Sequence, residues 1–508
     1  MRGQLLMAFK FILTLFAIAV VMASGTAFSQ PNDLADQLME ADAKQFAEIF
    51  PKFEEQAERG LPSLIGELDR KVTLDADDVA KEKLAKRQAN AAVALMKLGQ
   101  PEKVLPLLKH SPDPRVRSYL IHRFAPFGAD PNVLIKRLDD EPEITIRRAL
   151  ILSLGEFDTS AISLDSRKAV MPLLQKLYCE DADPGLHAAS EWLIRKWSQH
   201  NWLKQINEEW GKDNDQREKR LESIVKSLAT VKVTPQWYVN GQVQTMVVIP
   251  GPVEFVMGSP TTEVGRRENE PQHQKQIGRT FSISTKLVTL EQYRKYESDH
   301  SPVEEVFART ADLPVVETSW YQAVAYCNWL SKEEGIPEDQ WCFEIKGDET
   351  KLKANYLSLA GYRLPTEAEI EYATRAGATT ARYYGETDEL LAKYAWYLKN
   401  SQGRTQQVGR LKPNDLGLFD VQGNLWEWCQ NHFQPYPTGK DEESAEDQED
   451  DLVVNDNIGR VLRGGGSFGN QSWSMRSAYR NLVPPTTRNL LLGFRLARTM
   501  PPVPDKSP

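Results

Sequence analysis

A single glutamate between two tryptophans is the residue arrangement in this sequence that most directly suggests chemistry. It occurs as Trp426-Glu427-Trp428, inside the run NDLGLFDVQGNLWEWC at residues 414–429. If this run forms a strand, the two indole rings share one face and Glu427 points to the other. A carboxylate in such a setting is either an oxygen ligand for a hard cation or the acidic partner of a structural salt bridge. The local pattern leaves both interpretations open.

Soft metal ligands are few and scattered along the chain. The four cysteines are Cys179, Cys327, Cys342 and Cys429, and no two of them have the C-x-x-C spacing of a zinc site. Cys327 falls in an apolar helical pattern, which is typical of a small buried side chain. In an exported protein four cysteines can pair in three ways, and the sequence does not select one.

Six other motifs accompany the tryptophan run. In chain order they are GPVEFVMGS (251–259), EPQH (270–273), LPVVETSWYQAVAYCNWL (313–330), YRLPTEAEIEYA (362–373), RGGGSF (463–468) and GFR (493–495). Together they resemble the formylglycine-generating enzyme, or sulfatase-modifying factor, family. The resemblance extends from near Gln236 to near Thr499 and implies an α+β, loop-rich fold similar to that of C-type lectins. Proteins with this fold have several different functions. The resemblance therefore predicts the structure of the domain more specifically than its activity.

The resemblance implies an oxidase that uses molecular oxygen to convert a sulfatase cysteine to formylglycine. Its Cu(I) ion is held by two thiolates, the soft ligands that this ion prefers. Counted from the RGGGSF motif, the positions of that cysteine pair fall at Asn470 and, without gaps, Met475, and no cysteine follows Cys429. Because an amide cannot replace a thiolate and a lone thioether makes a weak site, we predict no catalytic residues of the family type and no copper site.

The resemblance also implies a calcium site in the tryptophan run. Asp420 and Glu427 would supply carboxylates, and Gly423 and Leu425 would supply backbone carbonyls. Ligation by oxygen alone in a tight loop suits a hard cation. We therefore expect calcium as the cofactor.

The ligand cleft implied by the resemblance would lie around Ser467, Asn470 and Trp473. Four arginines of the same half could line it, but we favour their pairing with buried carboxylates such as Glu369 or Glu371. These arginines are Arg463, Arg476, Arg480 and Arg495.

Two helices of this half are predicted from capping-box spacing, in which a hydroxyl residue is followed three residues later by Glu or Gln. The boxes are Ser319 with Gln322, opening residues 320–331, and Thr366 with Glu369, opening residues 367–376.

The first half has helical periodicity and a weak internal repeat. Arg87, Arg117 and Arg147 recur every 30 residues. An acidic residue followed by proline opens successive helices, at 113–114, 141–142 and 183–184. The pattern resembles short HEAT-type repeats, which stack into a docking surface. An irregular helical domain without a partner is the alternative.

Composition and the N-terminus bound the class of protein. The formal net charge of −9, without a basic cluster interleaved with aromatics, argues against a nucleic-acid partner. Arg2 and Lys10 precede an apolar run at 11–23 that is too short to span a bilayer comfortably, and small residues follow it, so we predict a cleaved signal. The protein would be exported, to the periplasm or outside the cell, with no transmembrane segment after cleavage. The acidic run at 441–451 predicts a solvated loop.

We expect a multidomain chain, an all-α HEAT-like region followed by the C-type-lectin-like domain. Its parts are a signal peptide at 1–29, helical repeats at 31–200, a helical linker at 201–234, the sulfatase-modifying-factor-like domain at 235–499 and a proline-rich tail at 500–508. Two functions compete. The first is a binding module for a protein or peptide partner, with sulfatases and glycans as candidates. The second is a formylglycine-generating oxidase.

Overall fold

The computed structural model describes residues 34–500 except 74–75, 229–233, 304–309, 348, 438–444 and 467. The predicted signal peptide therefore lies outside the described residues, as does the tail beyond residue 500. The first half of the described chain is helical. Its α-helices are α1 Leu34–Glu40, α2 Ala43–Glu54, α3 Ala57–Asp69, α4 Asp78–Lys97, α5 Pro101–Val104, α6 Arg115–Arg123, α7 Pro131–Asp140, α8 Ile144–Leu154, α9 Leu164–Glu180, α10 Pro184–Lys196, α11 His200–Lys212 and α12 Asn214–Leu228.

The second half combines short strands with a few helices and long connecting loops. Its α-helices are α13 Leu290–Arg294, α14 Trp320–Glu333 and α15 Glu367–Arg375. Its strands are β1 Gln236–Val239, β2 Thr245–Ile249, β3 Val253–Met257, β4 His273–Ile277, β5 Phe281–Ser284, β6 Phe343–Lys346, β7 Glu349–Leu352, β8 Tyr362–Arg363, β9 Trp426–His432, β10 Ala445–Glu446, β11 Arg460–Arg463, β12 Asn481–Val483, β13 Leu492–Gly493 and β14 Ala497–Thr499. The predicted fold class, an all-α region followed by a loop-rich α+β domain, is confirmed.

The strands form small sheets of mixed connectivity. The largest has the order β1-β2-β5-β14-β8 and is antiparallel throughout. A second has the order β12-β11-β9-β13, in which β9 pairs antiparallel with β11 and parallel with β13. The others are β10-β4-β3 and the hairpin β6-β7. Strand β9, which carries the Trp-Glu-Trp triplet, is therefore an interior strand with neighbours on both sides.

The described chain divides into two compact units. The first consists of the described residues up to Pro106 together with Arg123–Asp130. The second consists of Leu107–His122 and the described residues from Pro131 onward, so it contains the later helices and all the strands. The functional features below all lie in the second unit.

Local sequence explains where the helices begin. The Asp183 carboxylate accepts from the Leu186 N–H, and Pro184 occupies the first position of α10. Glu143 rather than Glu141 caps α8, so this helix begins two residues later than the Glu-Pro pair suggests. Both capping boxes predicted in the second half are present, at the starts of α14 and α15.

One hydrophobic core joins helices and sheets of the second unit. Trp320, Tyr326 and Trp428 are fully buried in it. Ile224 of α12 belongs to the same core and is 0% exposed. Within the predicted linker at 201–234, α12 thus packs an apolar stripe against the domain that follows it.

The acidic run is structured where the structure describes it. Asp447 accepts from the Thr366 hydroxyl at 2.7 Å and pairs with Arg279. Asp450 pairs with Arg460 at 3.1 Å. The prediction of a solvated loop is wrong for these two residues, because Arg279 and the buried Arg460 supply the charges that hold their carboxylates.

Candidate functional site

The Trp-Glu-Trp strand is organised around a buried ion pair. The indole N–H of Trp428 donates to the Thr318 carbonyl at 2.9 Å from within the main core. Glu427 accepts from Arg495 through both of its oxygens, with Nη2 to Oε1 at 2.8 Å and Nε to Oε2 as the second bond. Both side chains are 0% exposed. Of the two interpretations of this carboxylate, the described contacts form the salt bridge.

Asp420 lies in the turn that precedes β9. Its backbone has a positive φ of 52°, and its Oδ2 accepts from the Gly409 N–H at 2.8 Å. Burial raises the pKa of Asp420 to about 6. At Gly423 φ is +84°, and a Cβ would stand 2.3 Å from the Trp396 carbonyl oxygen, so the turn requires glycine here.

These residues are compatible with a bound calcium ion. Among the described residues, the buried carboxyl of Asp420 accepts a hydrogen bond from one donor, the neutral backbone N–H of Gly409. A carboxylate offers about four lone-pair sites, so Glu427 can accept from Arg495 and still present an oxygen to a cation. The carbonyls of Gly423 and Leu425, predicted as the other ligands, would complete a set made only of oxygen, which a hard cation prefers. Calcium at this position remains a prediction.

The predicted ligand cleft contains an exposed aromatic side chain. Ser467 lies outside the described residues. Trp473 is 42% exposed, and the guanidinium of Arg267 lies 5.2 Å from its ring centroid and 4.7 Å from that of Tyr479. The structure thus assembles a cation and two aromatic rings at this surface. No local sequence pattern points to Arg267, because it lies about two hundred residues from Trp473 in the chain.

The two positions predicted for the family cysteines have structural contacts. Asn470 is half-buried, and its backbone carbonyl accepts from the Leu398 N–H at 3.0 Å. Met475 is 0% exposed, and its carbonyl accepts from Arg382 Nε at 3.0 Å. Neither position provides a thiol, and the methionine thioether is buried.

The four thiols lie elsewhere and are all free. Cys342 donates from Sγ to two backbone carbonyls in the main core, whereas Cys429 belongs to a separate small cluster with Ile370 and Val461. Burial raises the pKa of Cys342 to about 12 and that of Cys179 to about 11. It raises the pKa values of Cys327 and Cys429 well above the ordinary thiol range. Burial therefore disfavours the thiolate form that Cu(I) binding requires.

The four arginines considered for the cleft lining pair with buried carboxylates, as predicted from the sequence. Each of them is almost completely buried, so the pairs fix loops rather than line an open cleft. The pairs are Arg463 with Glu371, Arg476 with Glu263 and Glu270, Arg480 with Glu367, and Arg495 with Glu427.

A second charge cluster joins the run at 414–429 to the helices of the same unit. Asp415 accepts from Arg117 through both oxygens at 2.7 and 2.9 Å, and from Arg148 at 3.2 Å. His110 Nδ1 lies 3.1 Å from the same carboxylate. Two residues on, Gly417 has a φ of +81°, and a Cβ there would stand 2.4 Å from the carbonyl oxygen of Pro184 in α10. The loop that leads into β9 is therefore packed against helices.

Relatives of this chain have several different names. A formylglycine-generating enzyme of Streptomyces coelicolor is 33% identical over 36% of this chain and 52% of its own length. A chaperone protein, LppX, of Paenibacillus barcinonensis is 29% identical over 29% of this chain and 65% of its own length. The solved structure of Treponema denticola variable protein 1 aligns with a TM-score of 0.42 and 29% identity, covering 53% of this chain and 99% of that one. The chain thus spans about half to two thirds of the length of these two curated relatives.

The fold combines a helical region with a loop-rich, lectin-like domain. That domain contains the strand with the salt-bridged Trp-Glu-Trp triplet. Residues 232–500, more than half of the chain, match the family model described as the sulfatase-modifying factor enzyme 1-like domain. The chain belongs to this family.

Proposed function

We propose that this protein is a binding member of its family that does not carry out copper-dependent oxidation of a sulfatase cysteine. The observation that supports the proposal is that no cysteine follows Cys429 and that Asn470 and Met475, the latter fully buried, occupy the positions predicted for the thiol pair. The four thiols elsewhere in the chain are free, and burial raises their pKa values. Trp473 and Arg267 offer an aromatic and cationic contact surface suited to a peptide or glycan.

The competing function is formylglycine generation, which is the activity in the name of the Streptomyces relative. We expect no conversion when this protein is co-produced with a peptide that carries a sulfatase cysteine motif, as read by mass spectrometry of that peptide. The Streptomyces enzyme, assayed in parallel, is the positive control. Conversion above the level of a blank culture would overturn the proposal, as would tight Cu(I) binding in a competition titration.

Binding is tested with the same peptide in unconverted form. We expect the fluorescence anisotropy of the labelled peptide to increase when the protein is added. The Trp473→Ala variant should bind the peptide more weakly, because alanine removes an exposed ring without disturbing the core. Leu482→Ala is a matched control, since Leu482 is also 42% exposed and belongs to β12. Equal loss in both variants would contradict a specific role for the indole. A glycan panel, read in the same way, tests the other class of ligand.

The calcium site is part of this proposal. We expect calcium to raise the melting temperature relative to EDTA at pH 7.5, because a ligand that binds only the folded state adds about 2.7 kcal/mol at a hundredfold excess over its Kd. The Asp420→Asn variant should lose most of this increment. Calorimetry of both proteins in calcium and in EDTA provides the measurement.

The pKa of Asp420 sets a pH dependence for this effect. In EDTA, burial of a carboxyl with a pKa of about 6 favours its neutral form. Its contribution to stability is therefore complete below the unfolded value near 4 and is lost as the pH rises through about 6. Calcium requires the ionised form, so the increment from calcium should shrink when the pH is lowered from 7.5 to 5. An increment that is independent of pH and of Asp420 would contradict this site.

We also propose export, on the basis of the N-terminal signal pattern at residues 1–29. Detection of the cleaved chain in a periplasmic or extracellular fraction would test it. Within the described part of the chain, no helix is both long enough and apolar enough to cross a bilayer.

A further inference from the structure

A cavity of about 340 Å³ in the second unit is lined mainly by basic side chains. It lies where α10 ends and α11 begins, opposite loop residues 393–412. The chain as a whole carries a formal charge of −9, so an accumulation of positive charge in one recess is not a consequence of composition. The basic residues of the lining are Arg195, Lys196, His200, Lys393, Arg410 and Lys412.

The carboxylates near the cavity do not balance these charges. Glu156 is the acidic residue of the lining, and it pairs with Lys393 at 2.8 Å and with Lys412. Outside the lining, Glu191 pairs with Arg195 at 2.7 Å but also with Lys286. Asp312 attracts Arg195, His200 and Arg410, and Asp158 attracts Lys196, but neither carboxylate forms an ion pair with these groups among the described residues. The lining therefore contains more cations than there are carboxylates that form ion pairs with them.

Two cations of the lining have no carboxylate partner among the described residues. Arg410 donates to the neutral amide of Gln407. Lys196 is exposed, and its ammonium group lies 5.1 Å from the centroid of the Trp192 ring. Both groups can therefore turn toward a ligand without giving up an ion pair in the protein.

The electrostatics of the cavity favour an incoming anion. Burial, together with repulsion from Lys196 and Lys393, outweighs the opposing effect of Glu156 and lowers the pKa of Lys412 to about 8. Burial also lowers the pKa of Arg410, with repulsion from Arg195 as the next contribution. Cations that are desolvated and repel one another gain free energy when a negative charge enters between them.

The backbone contributes a second set of donors. Helix α11 begins at His200, its N-cap residue Gln199 makes no side-chain capping bond, and its first turn contains no acidic residue. The first N–H groups of such a helix and its dipole attract anions. The indole N–H of Trp192 donates to the Arg410 carbonyl at 3.3 Å and so joins the two walls of the cavity.

We propose that this cavity binds a small ligand through a phosphate or sulfate group. A tetrahedral oxyanion with two negative charges matches several converging cations and a helix N-terminus better than a single carboxylate does. The volume is that of a small-molecule site rather than a macromolecular interface. The cavity shares no lining residue with the cleft at Asn470 and Trp473, so this inference does not depend on the proposed binding function.

The test is isothermal titration calorimetry of the full chain with inorganic phosphate, inorganic sulfate or glycerol phosphate. Chloride keeps the ionic strength constant. We expect saturable binding of at least one of the three. The double variant Lys196→Gln, Arg410→Gln should weaken it by about tenfold or more, because it removes both unpaired cations. The relative affinities of phosphate, sulfate and ester identify which form of the group the cavity prefers.

The control is Lys204→Gln, Lys212→Gln, which removes the same charge from α11 at exposed positions outside the lining. It should bind like the parent protein. Equal weakening in both double variants would show general charge attraction and overturn the proposal, as would the absence of saturable heat with all three anions. If the double variant unfolds, as judged by circular dichroism, the single variant Lys196→Gln at an exposed position provides the same comparison, and unchanged binding in it would overturn the proposal.

Discussion

Replacing Asp415 with alanine should lower the free energy of unfolding by about 3–5 kcal/mol, the loss expected when one partner of a buried ion pair is removed. Arg117 would lose two bonds to this carboxylate, at 2.7 and 2.9 Å, and Arg148 would lose one. Arg148 retains Asp183, with Nε to Oδ1 at 2.9 Å, so most of the cost falls on Arg117. Denaturant unfolding, followed by circular dichroism, provides the measurement.

The pH dependence of this loss is a further check. Burial on its own raises the pKa of Asp415, but Arg117, His110 and Arg148 outweigh it and hold the pKa well below its usual range. The stabilising contribution is therefore complete above the unfolded value near 4 and is lost as the pH falls toward the lowered folded value. The difference between parent and variant should be full at pH 7 and should shrink in acid.

An exposed ion pair on α11 is the matched control for Asp415. Lys204 and Glu208 lie 3.8 Å apart, with side chains 73% and 48% exposed. Lys204→Ala should change the free energy of unfolding by only about 0.5 kcal/mol or less, as is typical of surface pairs. A loss at Asp415 no larger than that at Lys204 would contradict the structural role assigned to this cluster.

Glu427→Gln should be comparably destabilising, by about 3–5 kcal/mol, because it leaves the Arg495 guanidinium buried without a negative partner. Arg495 is 0% exposed, and its other acceptors are neutral carbonyls, including those of Ser284 and Phe419 at 3.1 Å. Neutral oxygens satisfy its N–H groups but do not compensate its charge. Unfolding in EDTA isolates this effect from any bound cation.

Repeating that measurement in calcium separates the two roles of Glu427. If the carboxylate serves only Arg495, the loss is the same in calcium and in EDTA. If it also contacts calcium, the loss is larger in calcium, by the binding free energy that the variant fails to recover. Asp420→Asn is the comparison, since Asp420 does not pair with Arg495 among the described contacts and should respond mainly to calcium. A loss below about 1 kcal/mol in EDTA would contradict the buried-pair assignment.

Local rules predicted much of the fold. The capping boxes at Ser319 and Thr366 are satisfied by atoms within a few residues, and both helices begin where these boxes place them. The alternation of Trp426, Glu427 and Trp428 follows from strand geometry alone. Such features depend on neighbours in sequence, which is why the fold class could be predicted.

The partners of the charged residues could not be predicted in the same way. Asp415 pairs with residues about three hundred positions earlier in the chain, and Arg476 reaches Glu263 and Glu270 about two hundred positions away. No local periodicity encodes which carboxylate an arginine will meet. The basic cavity was missed for the same reason, since its lining combines helix ends with a loop from the other half of the chain.

Helix α12 is strongly charged, yet one side of it is packed against the core. Residues 213–220 are strongly hydrophilic, as is typical of the helical linker predicted at 201–234, yet Ile224 is fully buried in the main core. Arg220 donates from Nε to the Trp237 carbonyl at 3.1 Å and lies over its ring. A long charged side chain can cover apolar surface while its head group finds an acceptor, so mean hydrophilicity is a poor guide to exposure.

The attachment of the loop around Asp415 to α6, α8 and α10 bears on how this protein is divided for expression. A fragment that begins at residue 232, where the family match begins, would contain Asp415 but not its partners Arg117 and Arg148. It would also lack Pro184 of α10, against which the backbone at Gly417 packs. It would also lack Ile224 from its interior. The family match therefore covers only part of the compact unit, which extends further toward the N-terminus.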